Sequence, residues 1–308
     1  MFERFIEDYC KNDLGGLCEY EKLDRHTTLR VGGRARIMAT PDSKDNFIQT
    51  VVLARTLGLE YKILGKGSNI LVSDDDFLGV VIKTDKCLDY FSTKDTSLTV
   101  GAGASTIKLA RDVAKLGLSG LEFVSGIPGT VGGAVFMNAG AYNNEMKDVV
   151  VRVLILDECN SLKWISNAEL CFSYRSSVFQ NEPDWVVVEV ELEMVQGDFE
   201  KISELMKLRK KRRAGSQPLE FPTAGSTFRN PDGYDAWKLI EDANLRGAKV
   251  GGARVSDKHC NFVVNYDGAT ATDIYELISY VKRVVFDVHG VKLHQEVEFF
   301  NWKMEQRK

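Results

Sequence analysis

Between residues 125 and 142 the chain reads SGIPGTVGGAVFMNAGAY, with five glycines, three alanines, one proline and no charged residue. What such a run offers is bare main chain. Two shorter loops, GKGSN (65 to 69) and GAGAS (101 to 105), repeat the pattern, and each follows an apolar, strand-like segment. Without a Cβ the backbone can approach a ligand and aim consecutive N–H groups at an anion, so neutral loops can hold a pyrophosphate. Any one of the three reads equally well as a tight turn. GAGAST also looks like a truncated dinucleotide fingerprint with Glu122 near the distance of a ribose-binding acid, but that acid precedes an apolar segment instead of ending a strand. GKGSN lacks the ending that a Walker A loop requires.

The rest of the composition narrows the class. With 308 residues, 44% hydrophobic and 27% charged, the chain has material for two or three globular domains. A net charge of -4 gives no bulk attraction to nucleic acid or to an anionic membrane. The six cysteines at 10, 18, 87, 159, 171 and 260 form no CxxC pair and read as reduced thiols. MFERFIEDYCKND is acidic and amphipathic, unlike a secretion signal, and no apolar run reaches membrane-spanning length, so a cytoplasmic setting is expected.

Helical and extended patterns alternate along the chain. Residues 42 to 60 place Phe47, Val51, Ala54 and Leu57 on one stripe and stop at Gly58. YKIL (61 to 64) and VVIKT (80 to 84) read as strands. A second helix is expected after Ser105, with Ile107, Leu109, Val113 and Leu116 apolar and Gly117 at its end. VRVLILD (151 to 157) and DWVVVEVELEM (184 to 194) read as strands, the second with Val186, Val188, Val190, Leu192 and Met194 inward and Glu189, Glu191 and Glu193 outward. Residues 199 to 213 turn helical, acidic early and basic late, which suits a solvated helix aligned with its dipole and equally suits cations facing a diphosphate. GSQPLEFPTAGSTFRNPDG (215 to 233) carries three of the six prolines and marks a boundary or an ordered functional loop. The best helix, DIYELISYVKRVVFDVHG, is expected to begin at an Asp273/Glu276 capping box and to bury Ile274, Leu277, Ile278, Val281, Val285 and Val288. KLHQEVEFFNW is expected to close the chain as a strand.

Seven ordered motifs then converge. LRVGG (29 to 33), ILGKGSNILVSD (63 to 74), GIPGTVGGAVFMNAGAY (126 to 142), FSYRSSVF (172 to 179), AGSTFRNP (224 to 231), GGARVSDKHCNFVVN (251 to 265) and HQEVEFF (294 to 300) stand in the order of the UDP-N-acetylenolpyruvoylglucosamine reductase (MurB) family of peptidoglycan synthesis, which the chain resembles over nearly its whole length. The resemblance implies an α+β architecture: a two-subdomain FAD-binding fold of the vanillyl-alcohol-oxidase (PCMH) type, over 1–85 and 86–198, and a C-terminal αβ substrate-binding domain over 199–308. No tyrosine-bearing loop is inserted before the last domain, as in the shorter of the family's two classes. Cys260 stands where the family motif leads one to expect alanine.

By the same resemblance the cofactors are FAD and NADPH, and the substrate is the enolpyruvyl ether of a UDP-sugar. Gly65, Lys66, Gly67, Ser68 and Asn69, with Gly126, Ile127, Pro128, Gly129, Thr130, Gly132, Gly133 and Ala134, match the loops that wrap the flavin diphosphate. Arg175 matches the arginine that faces charge developing in the substrate carboxylate, a task suited to a guanidinium fork. Glu296 matches the glutamate beside that carboxylate; Glu298 shares its strand parity, and the Glu-Val pair selects Glu296. Ser226 matches the serine that protonates the second carbon, and Tyr174 and Asn230 match substrate contacts. An unactivated hydroxyl is a weak acid, so Ser226 suits this role only against a strongly basic carbon. His259 reads as a structural histidine, no histidine spacing suggests a metal, and a monomer without nucleic-acid or membrane partners is expected. Two other readings remain at this point: an alcohol oxidase on the same fold, and a flavin or nucleotide binder without catalysis.

Overall fold

The computed structural model of the chain describes residues 1–302, so the final domain expected over 199–308 extends at 303–308 beyond the described residues. The chain divides into two compact units. The first comprises Met1–Glu19, Ile37–Lys66 and Gly79–Lys211; the second comprises Tyr20–Arg36, Gly67–Leu78 and the chain from Arg212 onward.

Two cores fill the first unit. One lies beneath helices α1 (Phe2–Lys11) and α2 (Lys44–Thr56), where Phe5, Tyr9, Phe47, Val51 and Ala54 meet Ile37, Ala39, Val80 and Ile82. Ser43 caps α2 by accepting from the Asn46 N–H, and Gly58 ends it at φ +62°. The strand Tyr61–Leu64 pairs in parallel with Val80–Lys83, in a four-stranded sheet that also includes Gly15–Lys22 and Arg34–Pro41.

The second core forms around an antiparallel five-stranded sheet, in the order Leu162–Ser166, Val150–Leu156, Val186–Glu193, Ser97–Gly101, Phe91–Lys94. This sheet separates the two cores. Val153, Ile155, Val190 and Leu192 face one, while Leu154, Leu156, Val186 and Val188 face the other. The single inward face expected for residues 184 to 194 is therefore divided. The ladder pairs Leu154 with Glu189 but Ile155 with Val187, and the extra residue, Val188, shifts the strand's parity. Glu189 is then not simply wet: it accepts from the Tyr90 hydroxyl at 2.7 Å and pairs with Lys44 at 2.9 Å.

Helix α3 (Thr106–Lys115) covers the second core with Thr106, Leu109, Ala110, Val113 and Ala114. The expected stripe was set too far round the helix, since Ile107 and Leu116 are exposed; the small Ala110 and Ala114 permit the close approach. Ser105 occupies the N-cap without a side-chain cap bond, and Gly117 closes the helix at φ +73°. The short α4 (Val131–Phe136) follows, and then α5 (Phe199–Ser216), of which only Ile202 is buried.

Among the described residues the second unit has a single core. Helix α6 (Ala236–Asp242), helix α7 (Ala271–His289) and the sheet Lys249–Val250, Ala253–Val255, Val263–Asn265 enclose it, with Leu29, Val31 and Leu71 contributed from earlier in the chain. Helix α7 begins two residues sooner than expected. Thr270 is its N-cap and Asp273 the N3 partner of the capping box, while Gly290 ends it at φ +69°. Val288, 57% exposed, lies off the buried face. The closing strand is shorter than expected, covering Glu298–Phe300, because its parallel partner, Ile70–Val72, has only three residues. Among the described residues no helix is long and apolar enough to cross a membrane.

Candidate active site

In the first unit the loop 126–134 is held by its carbonyls and its N–H groups together and leaves glycine main chain outward. The Thr106 hydroxyl donates to Ile127 O at 2.6 Å and Gly129 O at 3.3 Å, while Val131 N and Gly132 N donate to Ala104 O and Ala102 O. Pro128 and Gly133 are exposed, and Gly126, Ile127, Gly129 and Gly132 are half-buried. Buried Thr130 caps α4 by accepting from the Gly133 N–H, and Ala134 N donates to Thr130 O. Gly65 comes so close that a Cβ there would lie 2.5 Å from Thr130 Oγ1. The Gly65 carbonyl takes the ammonium of Lys83, which burial pushes below its ordinary range against the opposing pull of Asp85. Two glycine loops thus meet with no bulk between them. What fits a flavin diphosphate here is the cradle itself, where Gly65 admits no Cβ and the loop turns bare main chain outward at Gly133 and in part at Gly126, Gly129 and Gly132.

The third glycine loop does different work. A Cβ on Gly101 would lie 2.3 Å from Leu88 O, and one on Gly103 would lie 1.9 Å from Thr84 O, so these glycines let two main-chain segments pack. Glu122 is occupied in a turn, accepting from Ser119 Oγ and Gly120 N.

Also in the first unit, Tyr174 and Arg175 form the tip of a two-residue turn closed by reciprocal main-chain bonds between Ser173 and Ser176. Arg175 adopts φ +55°, its guanidinium lies 5.0 Å from the Tyr174 ring centroid, and its Nη2 donates to Gly140 O at 3.0 Å. Asn138 and Gln180, which sequence reasoning passed over, hold this turn from both ends. Asn138 Nδ2 donates to Ser173 O and Gln180 Nε2 to Arg175 O. Asn138 is a fully buried polar residue inside a glycine-rich motif, a signal visible only once its surroundings are known.

The second unit gathers Ser226, Glu296 and Asn69. Glu296 N donates to Thr227 O at 2.8 Å, Phe228 bridges Gln295, and Arg229 N donates to His294 O. The Asn69 side chain donates to Glu296 O at 3.1 Å, and Glu298 N to Asn69 O. Ser226 follows Gly225, whose φ of +85° makes the bend. Gly67 sits at φ +58°, where a Cβ would lie 2.3 Å from His26 O, so its backbone admits no side chain. Ser68 is half-buried and Lys66 exposed. Asn230 Oδ1 accepts from Ala236 N at the start of α6. Burial raises the Glu298 carboxyl above the ordinary carboxylate range, opposed by Arg229.

His259 stacks edge-on against Phe262 at 4.8 Å and accepts from Asn261 N, while Cys260 lies inside the core. On α5, Arg209 covers the Tyr142 ring at 4.6 Å and its carbonyl accepts from the Tyr142 hydroxyl; Lys207, Lys210, Lys211 and Arg212 are exposed.

Comparison with known proteins gives the family. Residues 35–165 match the family model described as FAD binding domain, and 217–300 match the UDP-N-acetylenolpyruvoylglucosamine reductase C-terminal domain. A UDP-N-acetylenolpyruvoylglucosamine reductase of Anoxybacillus flavithermus is 44% identical over 98% of this chain and 100% of its own. That of Bacillus licheniformis is 39% identical over 98% and 99%. The crystal structure of the reductase (MurB) of Thermus caldophilus superposes with a TM-score of 0.77 at 34% identity, covering 91% of this chain and 97% of that one. The chain, with its FAD-binding fold, belongs to the UDP-N-acetylenolpyruvoylglucosamine reductase family and is a flavin oxidoreductase.

Proposed function

We propose that the protein reduces the enolpyruvyl group of UDP-N-acetylglucosamine enolpyruvate, giving UDP-N-acetylmuramate, with NADPH as the reductant. Residues 1–85 and 86–198 form the flavin-binding subdomains in this reading, and the chain from 199 binds the sugar nucleotide. FAD, when bound, carries hydride from NADPH to the methylene carbon of the substrate. The residues matching the wrapping loops, Gly65 to Asn69 and Gly126 to Ala134, hold the flavin diphosphate by main-chain donors. Arg175 stabilises charge that develops in the substrate carboxylate, and a planar fork with several donors suits that task better than an ammonium. Glu296 hydrogen-bonds the same carboxylate, Ser226 delivers the proton to the second carbon, and Tyr174 and Asn230 orient the substrate.

The observation that carries this reading is the bond from Glu296 N to Thr227 O. It holds the segment of the proton donor against that of the acid, in a chain of the reductase family. The test uses anaerobic holoenzyme. NADPH should bleach the flavin, and the enolpyruvyl nucleotide should restore its colour. Ser226→Ala should keep its flavin and its bleaching by NADPH but lose the second step, and Arg175→Lys should slow that step by about 100-fold. A wild-type flavin that the nucleotide fails to reoxidise refutes the proposal.

A further inference from the structure

Arg175 stands on a left-handed turn, a conformation unfavourable for a residue with a Cβ and kept only where surroundings hold it. The surroundings lead to one side chain. Asn138 is fully buried, itself at φ +42°, and each of its polar atoms is in use. Nδ2 donates to Ser173 O at 2.9 Å, at the base of the Arg175 turn, and to Glu145 Oε2 at 3.0 Å; Oδ1 accepts from Lys147 N at 3.0 Å. Glu145 belongs to the hairpin formed by Gly140–Ala141 and Asn144–Glu145. That hairpin supplies Gly140 O, which receives the Arg175 guanidinium. Asn138 therefore grips both the segment that carries the arginine's Cα and the segment that receives its tip.

We propose that Asn138 is the positioning residue of Arg175, fixing through one side-chain amide the turn that bears the arginine and the hairpin carbonyl that takes its guanidinium. Gln180 completes the clamp, donating to Arg175 O at 3.3 Å while its Oε1 accepts from Ser176 Oγ at 2.9 Å. Asparagine is suited to the place because its short amide tolerates φ above zero and offers two donors and an acceptor. Aspartate has nearly the same shape and backbone tolerance but no donors. It would set a carboxylate oxygen against Glu145 and against the Ser173 carbonyl, both acceptors.

This inference rests on the role given to Arg175 above, and the experiment separates the two. Holoenzyme is reduced chemically without oxygen and mixed with the enolpyruvyl nucleotide. If wild-type flavin is not reoxidised, the proposed function fails whatever Asn138 does. If it is, Asn138→Asp should reoxidise about 100-fold more slowly, the cost of a misplaced catalytic group, with unchanged flavin content and NADPH bleaching. In the variant freed of flavin, amide hydrogen exchange should quicken at 173–176 and stay unchanged in α3. On an Arg175→Lys background the same change should cost little more, because both act through one group. A wild-type rate in Asn138→Asp, or a loss that multiplies in full with that of Arg175→Lys, overturns the proposal. Should Asn138→Asp lose its flavin, Asn138→Gly and Gln180→Met carry the same measurements; loss of flavin in all three would make the cluster a fold element and also overturn it.

Discussion

His259 shows how burial acts on a single group. Its partners are a ring edge and a main-chain N–H, and burial, with the Arg246 guanidinium second, holds its pKa below the ordinary 6.5. The folded chain resists the proton more than the unfolded chain does. This contribution to stability is complete above pH 6.5 and is lost as the pH falls below it toward the lower folded value. Melting temperature measured across that window should fall more steeply for the wild type than for His259→Gln; equal slopes would remove His259 from the linkage. That histidine was legible as structural from the sequence, since it stands alone in SDKHCNF and no metal-ligand spacing joins it to the other histidines. Asn138 was not, since its three bonds go to residues 7, 9 and 35 positions along the chain, and nothing in NAGAY announces them. Gly101 and Gly103 show the same limit from the other side. A glycine required by a neighbouring carbonyl and a glycine required by a ligand have the same letter.

At the scale of elements, local chemistry was readable and pairing was not. Helix α2 was visible from its stripe and from Gly58, which ends it in the sequence as in space; its N-cap, Ser43, was not singled out. For α3 the period was right and the phase wrong: Ala110 and Ala114, which face the core, count less in an apolar pattern than Ile107 and Leu116, which do not. The parity shift at Val188 lies in an unbroken valine run and is set by the neighbouring strand, so no local rule finds it. Helix α7 makes its ends measurable. Thr270→Ala removes the bond to Asp273 N and should cost about 1 kcal/mol. Gly290→Ala meets no atom within 4 Å, so its cost is that of the left-handed backbone, about 1–2 kcal/mol. Val288→Lys, on the exposed side, should stay within about 0.5 kcal/mol. Urea unfolding of the three variants checks the order, and a Val288→Lys loss as large as that of Gly290→Ala would contradict the placement of the face.

At the scale of the whole molecule, the interior of a unit is built from segments distant in sequence. The motifs located the family and the FAD-binding fold because short glycine and polar signatures survive in one dimension. Core membership does not survive in that way. Leu29, Val31 and Leu71 are nearly solvent-free in the cluster that α6 and α7 enclose, although more than 140 residues separate Leu71 from Ala224, the next member of that cluster along the chain. The parallel strand Glu298–Phe300 likewise takes its partner from Ile70–Val72. A fragment beginning at residue 199 would keep both helices and the three-stranded sheet but lose these four contributions. Emptying even the three aliphatic sites costs about 1–5 kcal/mol each, against a net stability of about 5–15 kcal/mol for a whole domain, and the unpaired strand adds exposed main-chain groups. The isolated fragment 199–308 should therefore show no cooperative thermal transition and should bind a hydrophobic dye, as loosely packed states do. A sigmoidal melt without dye binding would mean that α6, α7 and their sheet close a sufficient core alone, and that Leu29, Val31 and Leu71 only thicken it.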